Sequence, residues 1–307
     1  MTDYDVIIVG GGPAGMSALI WCHSLNLRAV LLERAPELGG QMLQMFHRVF
    51  DYPGVAAATG HELRDLFVVH LNELKLAWRV DCKIDEINLR ERRLSCNGET
   101  LKSTAMIIAA GARKRRLGIP GEERFETHGV SFSATRDHSQ YAGKKVCVIG
   151  GGDSAIENSL ILARVCPEVT VIHRSGNFRA RQEWMEQAQE NPRISFISHA
   201  AAQAIEGHQT VERLIIEDIP SGRQKVIETE GVFVKIGIAP NTEMFEGQLE
   251  LDESGYIKVD QDQRTSVERV YAAGDVCHPV CMSVATAVGQ AAITVKGIKE
   301  ERLKEDS

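Results

Sequence analysis

A chain of 307 residues with 43% hydrophobic and 25% charged side chains has the composition of a globular protein with room for two domains of ordinary size. Its net charge of −7 argues against a nucleic-acid partner, because phosphate binding draws on an excess of Lys and Arg. No apolar run approaches the roughly 18 residues that span a bilayer, and no charged-then-apolar leader opens the chain, so neither a membrane segment nor a signal peptide is expected.

The first predicted element is a buried strand, Val6-Ile7-Ile8-Val9, which runs into Gly10-Gly11-Gly12-Pro13-Ala14-Gly15 and a helix over residues 14–25. A strand over 28–33 ends in Glu33. A second helix is expected over 60–76. Alternating segments near 84–89, 93–96 and 100–102 read as a small antiparallel layer, and a buried strand over 105–110 stops at Gly111-Ala112. Leu117-Gly118-Ile119-Pro120-Gly121 reads as a linker into a second unit that repeats the plan. There, Val146-Cys147-Val148-Ile149 runs into Gly150-Gly151-Gly152-Asp153-Ser154-Ala155 and a helix. A strand over 169–173, a meander from 194 to 229 and a strand over 231–236 follow. Gly237-Ile238-Ala239-Pro240-Asn241 reads as the linker back. The tail holds a buried strand, Val270-Tyr271-Ala272-Ala273, then Gly274-Asp275 and a helix from about Ser283.

The two glycine turns have the chemistry of nucleotide cradles. A side chain at such a turn would block both the tight bend and the approach of a pyrophosphate to the helix N-terminus. The residue ending the next strand separates the two copies. Glu33 stands at the same remove from Gly10 as His173 does from Gly150, and Arg174, Arg179 and Arg181 follow His173. A carboxylate accepts hydrogen bonds from a ribose and repels a 2′-phosphate, whereas arginines attract one. Two different nucleotides are expected. The fold class is therefore α/β, with two Rossmann-like dinucleotide-binding domains, the second inserted in the first: 1–112 with 242–307, and 113–241.

With these motifs in this order, the chain resembles the flavoproteins that hold two dinucleotides, above all low-molecular-weight thioredoxin reductases and the related ferredoxin–NADP reductases. The resemblance rests on 10–15, Glu33, Gly39-Gly40-Gln41, Asp51-Tyr52-Pro53-Gly54, 109–112, 150–157, His173-Arg174 with Phe178-Arg179-Ala180, 237–240 and Ala272-Ala273-Gly274-Asp275. It implies FAD on Gly10, Gly12, Pro13, Ala14, Gly15, Glu33, Gly40, Gln41, Ala110, Gly111, Gly274 and Asp275. Asp51 falls near the flavin N5 edge, and Gln290 and Ala291 match a helix start facing the flavin O2. It implies NADPH, with NADH as the alternative, on Gly150, Gly152, Asp153, Ser154, Ala155, His173, Arg174 and Arg179. Ser175 stands where the family commonly has a second arginine. A homodimer is implied as well.

One segment departs from the family. Thioredoxin reductases carry Cys-x-x-Cys-Asp where this chain has Ser133-Ala134-Thr135-Arg136-Asp137. Neither Ser133 nor Arg136 can form a thiolate or a disulfide, so the usual dithiol exit for electrons is excluded while Asp137 remains. Three exits stay open. Electrons could pass directly from flavin to a small molecule or a redox protein such as ferredoxin, which the run Arg113-Lys114-Arg115-Arg116 could dock. Cys277 and Cys281 could form a relocated dithiol. The chain could instead be a non-enzymatic redox sensor.

The seven cysteines, an odd number without a secreted-type framework, suit a reducing, cytoplasmic setting. Cys22, Cys82, Cys96, Cys147 and Cys166 fall in helical or strand patterns and read as core filling. The ten histidines show no metal-ligand spacing, and no metal is expected.

Overall fold

The structure, a computed structural model, describes residues 2–46, 48–277 and 279–305. The chain forms two compact units, one of residues 1–113 and 239–307, the other of residues 114–238.

The first unit is built on a sheet ordered Trp78–Arg79, Ala29–Leu32, Thr2–Val9, Glu99–Ile108, Arg93–Cys96, Ile84–Asn88, with Val270–Ala272 also pairing onto Glu99–Ile108. Its central strands are parallel, Val6 opposite both Ala29 and Ala105. Parallel strands covered on both faces must be apolar throughout, which is why these segments read as unbroken hydrophobic runs. Alternate residues serve opposite faces. Ile8, Leu31 and Ile107 pack with Met16 and Leu19 of helix Pro13–Ser24 and with Ala291 and Val295 of helix Val284–Glu305. Ile7, Met106 and Ile108 pack on the other side with Leu94, Leu101 and Phe245. Helix Gly60–Glu73 adds Leu63 and Leu71 to the first of these clusters.

Two readings of this unit are corrected. The segments expected as a strand at 100–102 and another at 105–110 are one ten-residue strand, Glu99–Ile108. Its first four residues pair antiparallel with Arg93–Cys96, and from Leu101 onward it runs parallel to Thr2–Val9, so the antiparallel layer is the edge of the main sheet. Cys82 and Cys96 do more than fill the core, being joined by a disulfide. Hairpin pairing sets Ile84 opposite Cys96 and leaves Cys82 close by, its Cα 5.8 Å from that of Cys96, within bonding range.

The second unit has a parallel sheet ordered Ile194–Ile197, Glu168–Ile172, Lys145–Ile149, Gly231–Val234, Val130–Ser131. Ile194–Ile197 belongs to this sheet, in register with Val169 to Ile172, and not to the meander in which it was expected. The meander proper is Ala200–Glu206, Arg213–Asp218 and Arg223–Glu228. Helices Asp153–Leu162 and Gln182–Glu190 cover one face through Ile156, Leu162 and Ala188. The meander covers the other through Ile205, Leu214 and Ile216. Residues 117–121 lie within this unit, pinned by buried Glu122, which accepts from the amides of Leu117 and Gly118 at 2.9 and 2.8 Å. The strands Ala112–Lys114 and Ile238–Pro240, where the chain passes from one unit to the other and back, pair with each other.

Candidate functional site

In the first unit the strand Thr2–Val9 ends at Gly10, whose φ of +112° and tight surroundings allow no side chain: a Cβ would sit 2.3 Å from the Ala109 carbonyl oxygen. One helical turn later, a Cβ on Gly15 would lie 1.9 Å from the Gly10 oxygen. Gly12, by contrast, faces open space and caps helix Pro13–Ser24 with no side chain of its own. The first turn of that helix therefore has no side-chain cap, which leaves its N-terminal end for an incoming anion. Glu33, half-buried at the end of its strand, accepts from Gly11 N at 2.6 Å and Ala35 N at 2.7 Å, tying the second strand to the turn.

Distant segments converge on the same edge. Gly40 lies against Gly12, and Gly39 N donates to the Gly11 carbonyl at 2.8 Å. Gly274 approaches the Ala14 side chain. The Gln41 amide donates to the Asp275 carboxylate. Burial pushes Asp275 above the usual carboxylate range, with the Gln41 bond opposing. Ala110 and Gly111 offer their carbonyls to Asn241, at 2.7 and 3.0 Å. Asp51 is exposed on the following loop, where the contacts of its neighbour Tyr52 are with Phe67.

Gln290 and Ala291 are not at a helix start. The helix begins at Val284, after Ser283, whose hydroxyl accepts from Thr286 N at 3.1 Å. Residues 290 and 291 are nearly two turns in, where backbone amides belong to the helix's own ladder. Ala291 is fully buried, and Gln290 acts through its side chain, accepting from Gly274 N at 2.8 Å.

The second unit repeats the first turn with one exchange. Gly150 has a φ of +147°, and a Cβ there would meet the Lys235 oxygen at 2.2 Å. Gly152 again faces open space, and Ala155 stands buried in the place of Gly15. Gly151 packs on the His173 ring as Gly11 packs on Glu33, so an imidazole replaces the carboxylate in space as well as in sequence. The loop after it folds back on the turn, Arg179 N donating to the Gly151 carbonyl at 2.7 Å, with the Phe178 ring centred 5.2 Å from that of His173 and tilted against it. Arg174 and Arg179 expose their side chains. Burial lowers the His173 pKa below the usual imidazole value; Arg174 and Arg179 lower it further, against a hydrogen bond to the Asn177 backbone. Asp153 holds Arg181, accepting from its backbone and Nε at 2.7 and 3.0 Å, while Ser154 is exposed at the helix start.

The segment 131–137 closes the strand Val130–Ser131 with the short helix Ala134–Asp137. Ser133 caps that helix, its hydroxyl accepting from Arg136 N, and Asn158 accepts from Ala134 N at 2.8 Å. Arg136 grips Asp137 with Nε and Nη2 at 2.6 and 2.7 Å, and Ser131 donates to the same carboxylate at 2.6 Å. Burial raises the Asp137 pKa, but Arg136 and Ser131 outweigh it and hold the carboxyl below its ordinary value. Sequence reading passed over Lys235, whose Nζ donates to the Phe132 carbonyl at 3.2 Å. Its signal was a single charge at the end of an apolar strand.

Two other groups change character. Three of the cations in 113–116 are engaged by neighbours: Arg113 with Glu243 and Asn241, Arg115 with the Ile238 carbonyl, Arg116 with Glu126. Cys277 and Cys281 are both free thiols, the first half-buried at the end of the turn Asp275–Cys277, the second exposed. Burial, then the nearby Asp275, pushes the Cys277 thiol up to about 12.

Residues 4–291 match the family described as pyridine nucleotide-disulphide oxidoreductase. The chain belongs to that family. It is an FAD-dependent oxidoreductase of thioredoxin reductase-like type. It is 36% identical over 295 residues to a thioredoxin reductase of Mycolicibacterium smegmatis, covering 94% of this chain and 93% of that one. Identity to a Bacillus subtilis thioredoxin reductase is 33% over 306 residues, covering 98% and 96%. The crystal structure of Lactococcus lactis thioredoxin reductase superposes with a TM-score of 0.80 at 30% identity, covering 98% and 99%. Among the described residues no helix is long and apolar enough to cross a membrane, and no cluster of His, Cys, Asp and Glu could hold a metal.

Proposed function

We propose that this oxidoreductase takes reducing equivalents from NADPH through FAD to an acceptor met directly at the flavin, with no Cys-x-x-Cys dithiol. The observation that carries this reading is the turn at 133–137. Both glycine turns keep the geometry of a nucleotide cradle, while Ser133 caps a helix and Arg136 is committed to Asp137. The electron-entry parts remain and the usual exit is closed.

The first unit fits FAD. The open approach at Gly12, the uncapped amides of the first helix and the half-buried Asp275 leave room and polar partners for a pyrophosphate and a ribityl chain. Gly10, Gly12, Pro13, Ala14 and Gly15 would form the cradle, with Glu33 on the ribose and Gly40, Gln41, Ala110, Gly111, Gly274 and Asp275 lining the rest. FAD held there would supply a ring that accepts hydride and passes electrons onward. In the second unit Gly150, Gly152, Asp153, Ser154 and Ala155 would receive the nicotinamide nucleotide's pyrophosphate, and Arg174 and Arg179 its 2′-phosphate, with His173 packed beneath. Residues 1–112 with 242–307 are thus read as the FAD domain and 113–241 as the NADPH domain, in a cytoplasmic homodimer.

Within the direct route a small-molecule acceptor is preferred to ferredoxin, since Arg113, Arg115 and Arg116 already serve internal partners. A thiol pushed up to about 12 forms little thiolate near neutral pH, which weighs against a Cys277–Cys281 exit. Anaerobic titration of the FAD-loaded protein with NADPH and NADH, followed by an acceptor screen, tests the reading. Uptake of two electrons per FAD with NADPH supports it. Uptake of four makes the protein a disulfide oxidoreductase, and failure of both nucleotides to reduce the flavin leaves a sensor.

A further inference from the structure

Two lysines of the second unit lie where a cation needs a partner and has no acid. Lys235 follows the strand Gly231–Val234, beside Gly150, and its ammonium reaches the Phe132 carbonyl. Lys114 ends the strand Ala112–Lys114, and the next residue, Arg115, donates its amide to the Gly237 carbonyl at 2.9 Å, two residues beyond Lys235. Both are half-buried, and among the described residues neither forms an ion pair. The acids nearby are committed or distant. Asp137 is held by Arg136 and Ser131, Glu126 pairs with Arg116, and exposed Glu157 acts on Lys235 only through the field. A half-buried ammonium without a counter-charge is costly unless something supplies one.

We propose that Lys114 and Lys235 form an oxyanion-binding site at the carboxyl edge of the second unit's parallel sheet, taking the carboxylate or phosphate of a small molecule. That edge is where open α/β sheets bind ligands. Strand order separates this site from the arginines. Arg174 follows the strand on one side of Lys145–Ile149, and Lys235 follows the strand on the other. The anion is therefore not the 2′-phosphate. It is either another phosphate of the dinucleotide or a separate acid.

The local charges support a site held ready for an anion. Burial, then Lys114, lowers the Lys235 pKa to about 8, with Glu157 opposing. Burial, then Arg136, lowers that of Lys114, with Asp137 and Glu126 opposing. An arriving anion stabilises both ammonium forms, so binding above pH 8 must draw protons from solution.

The test is calorimetric titration of the FAD-loaded protein with sodium sulfate at about pH 8.5, in two buffers of different ionisation enthalpy. Sulfate carries no proton of its own there, arginines stay charged, and His173 stays neutral. Wild-type protein and R174A are expected to bind sulfate with uptake of most of a proton. K235M should lose that uptake and bind at least about tenfold more weakly. K235R should bind without uptake, which also answers any doubt that K235M folds. Binding without uptake in wild type, or uptake preserved in K235M or K235R, overturns the site. Saturating NADP+ distinguishes the sources: uptake abolished assigns the anion to the dinucleotide, and uptake retained assigns it to a separate acid.

Discussion

Replacing Arg174 with alanine examines the donor site at the point where the two units differ. Arg174 and Arg179 leave the strand Glu168–Ile172 beside His173 and are exposed, and both influence the imidazole's pKa. A charge-assisted bond from an arginine to a phosphate is worth about 1.5–3 kcal/mol, and solvent screening at an exposed site brings that to about 1–2 kcal/mol. NADPH should therefore bind about 5–30-fold more weakly to R174A, while NADH is nearly unchanged. The R174A/R179A pair should lose more, short of the sum, because the two share one phosphate. The assay is the anaerobic rate of flavin bleaching against nucleotide concentration, at low and high salt, with selectivity shrinking as salt rises. The imidazole gives an independent reading by NMR: removing one cation should move the His173 pKa upward, toward its ordinary value. Because that pKa is depressed, His173 is neutral near pH 7 and gains charge as pH falls through it. NADPH preference should therefore sharpen on the acid side while the fold loses stability. Equal weakening of NADPH and NADH would refute the assignment of the arginines to the 2′-phosphate.

Gly15→Ala should cost about 1–3 kcal/mol and strip FAD from the protein, since its Cβ would meet the Gly10 oxygen at 1.9 Å; thermal melting and FAD released on denaturation report both effects. Asp137→Asn should destabilise the second unit by about 1–3 kcal/mol, because a nearly buried carboxylate loses its grip on Arg136. The native pKa of Asp137 lies below its ordinary value, so its stabilisation is present above about pH 4 and lost as pH falls through the native value. Denaturant titrations across that window should therefore show a flatter acid limb in D137N, and an unchanged limb would remove Asp137 as its source. The double substitution Cys277→Ser, Cys281→Ser should keep acceptor turnover and two-electron uptake; abolished turnover in a folded, FAD-loaded variant would restore the relocated dithiol.

Much of the architecture is written locally. An apolar run ending in glycines specifies a buried strand that turns into a helix, whatever lies elsewhere in the chain, so both turns and their partners Glu33 and His173 were legible from spacing alone. The missing dithiol was equally plain, because chemistry lost at Ser133 and Arg136 cannot be restored by packing. What the tertiary structure decided are matters of partnership. Glu99–Ile108 became one strand because the registers of its two neighbours overlap at Leu101 and Lys102, and Ile194–Ile197 joined the parallel sheet because Glu168–Ile172 offered it an edge. Gln290 proved to act through its amide side chain, Cys82 found Cys96, and Arg113, Arg115 and Arg116 were drawn to internal acceptors. Lys114 and Lys235, far apart in the chain, acquired significance only when folding set their segments side by side and half-buried both. Backbone geometry and side-chain chemistry act over a few residues and can be read in order along the chain. Electrostatic and packing partnerships depend on distances in space, which only the fold brings down to a few ångströms.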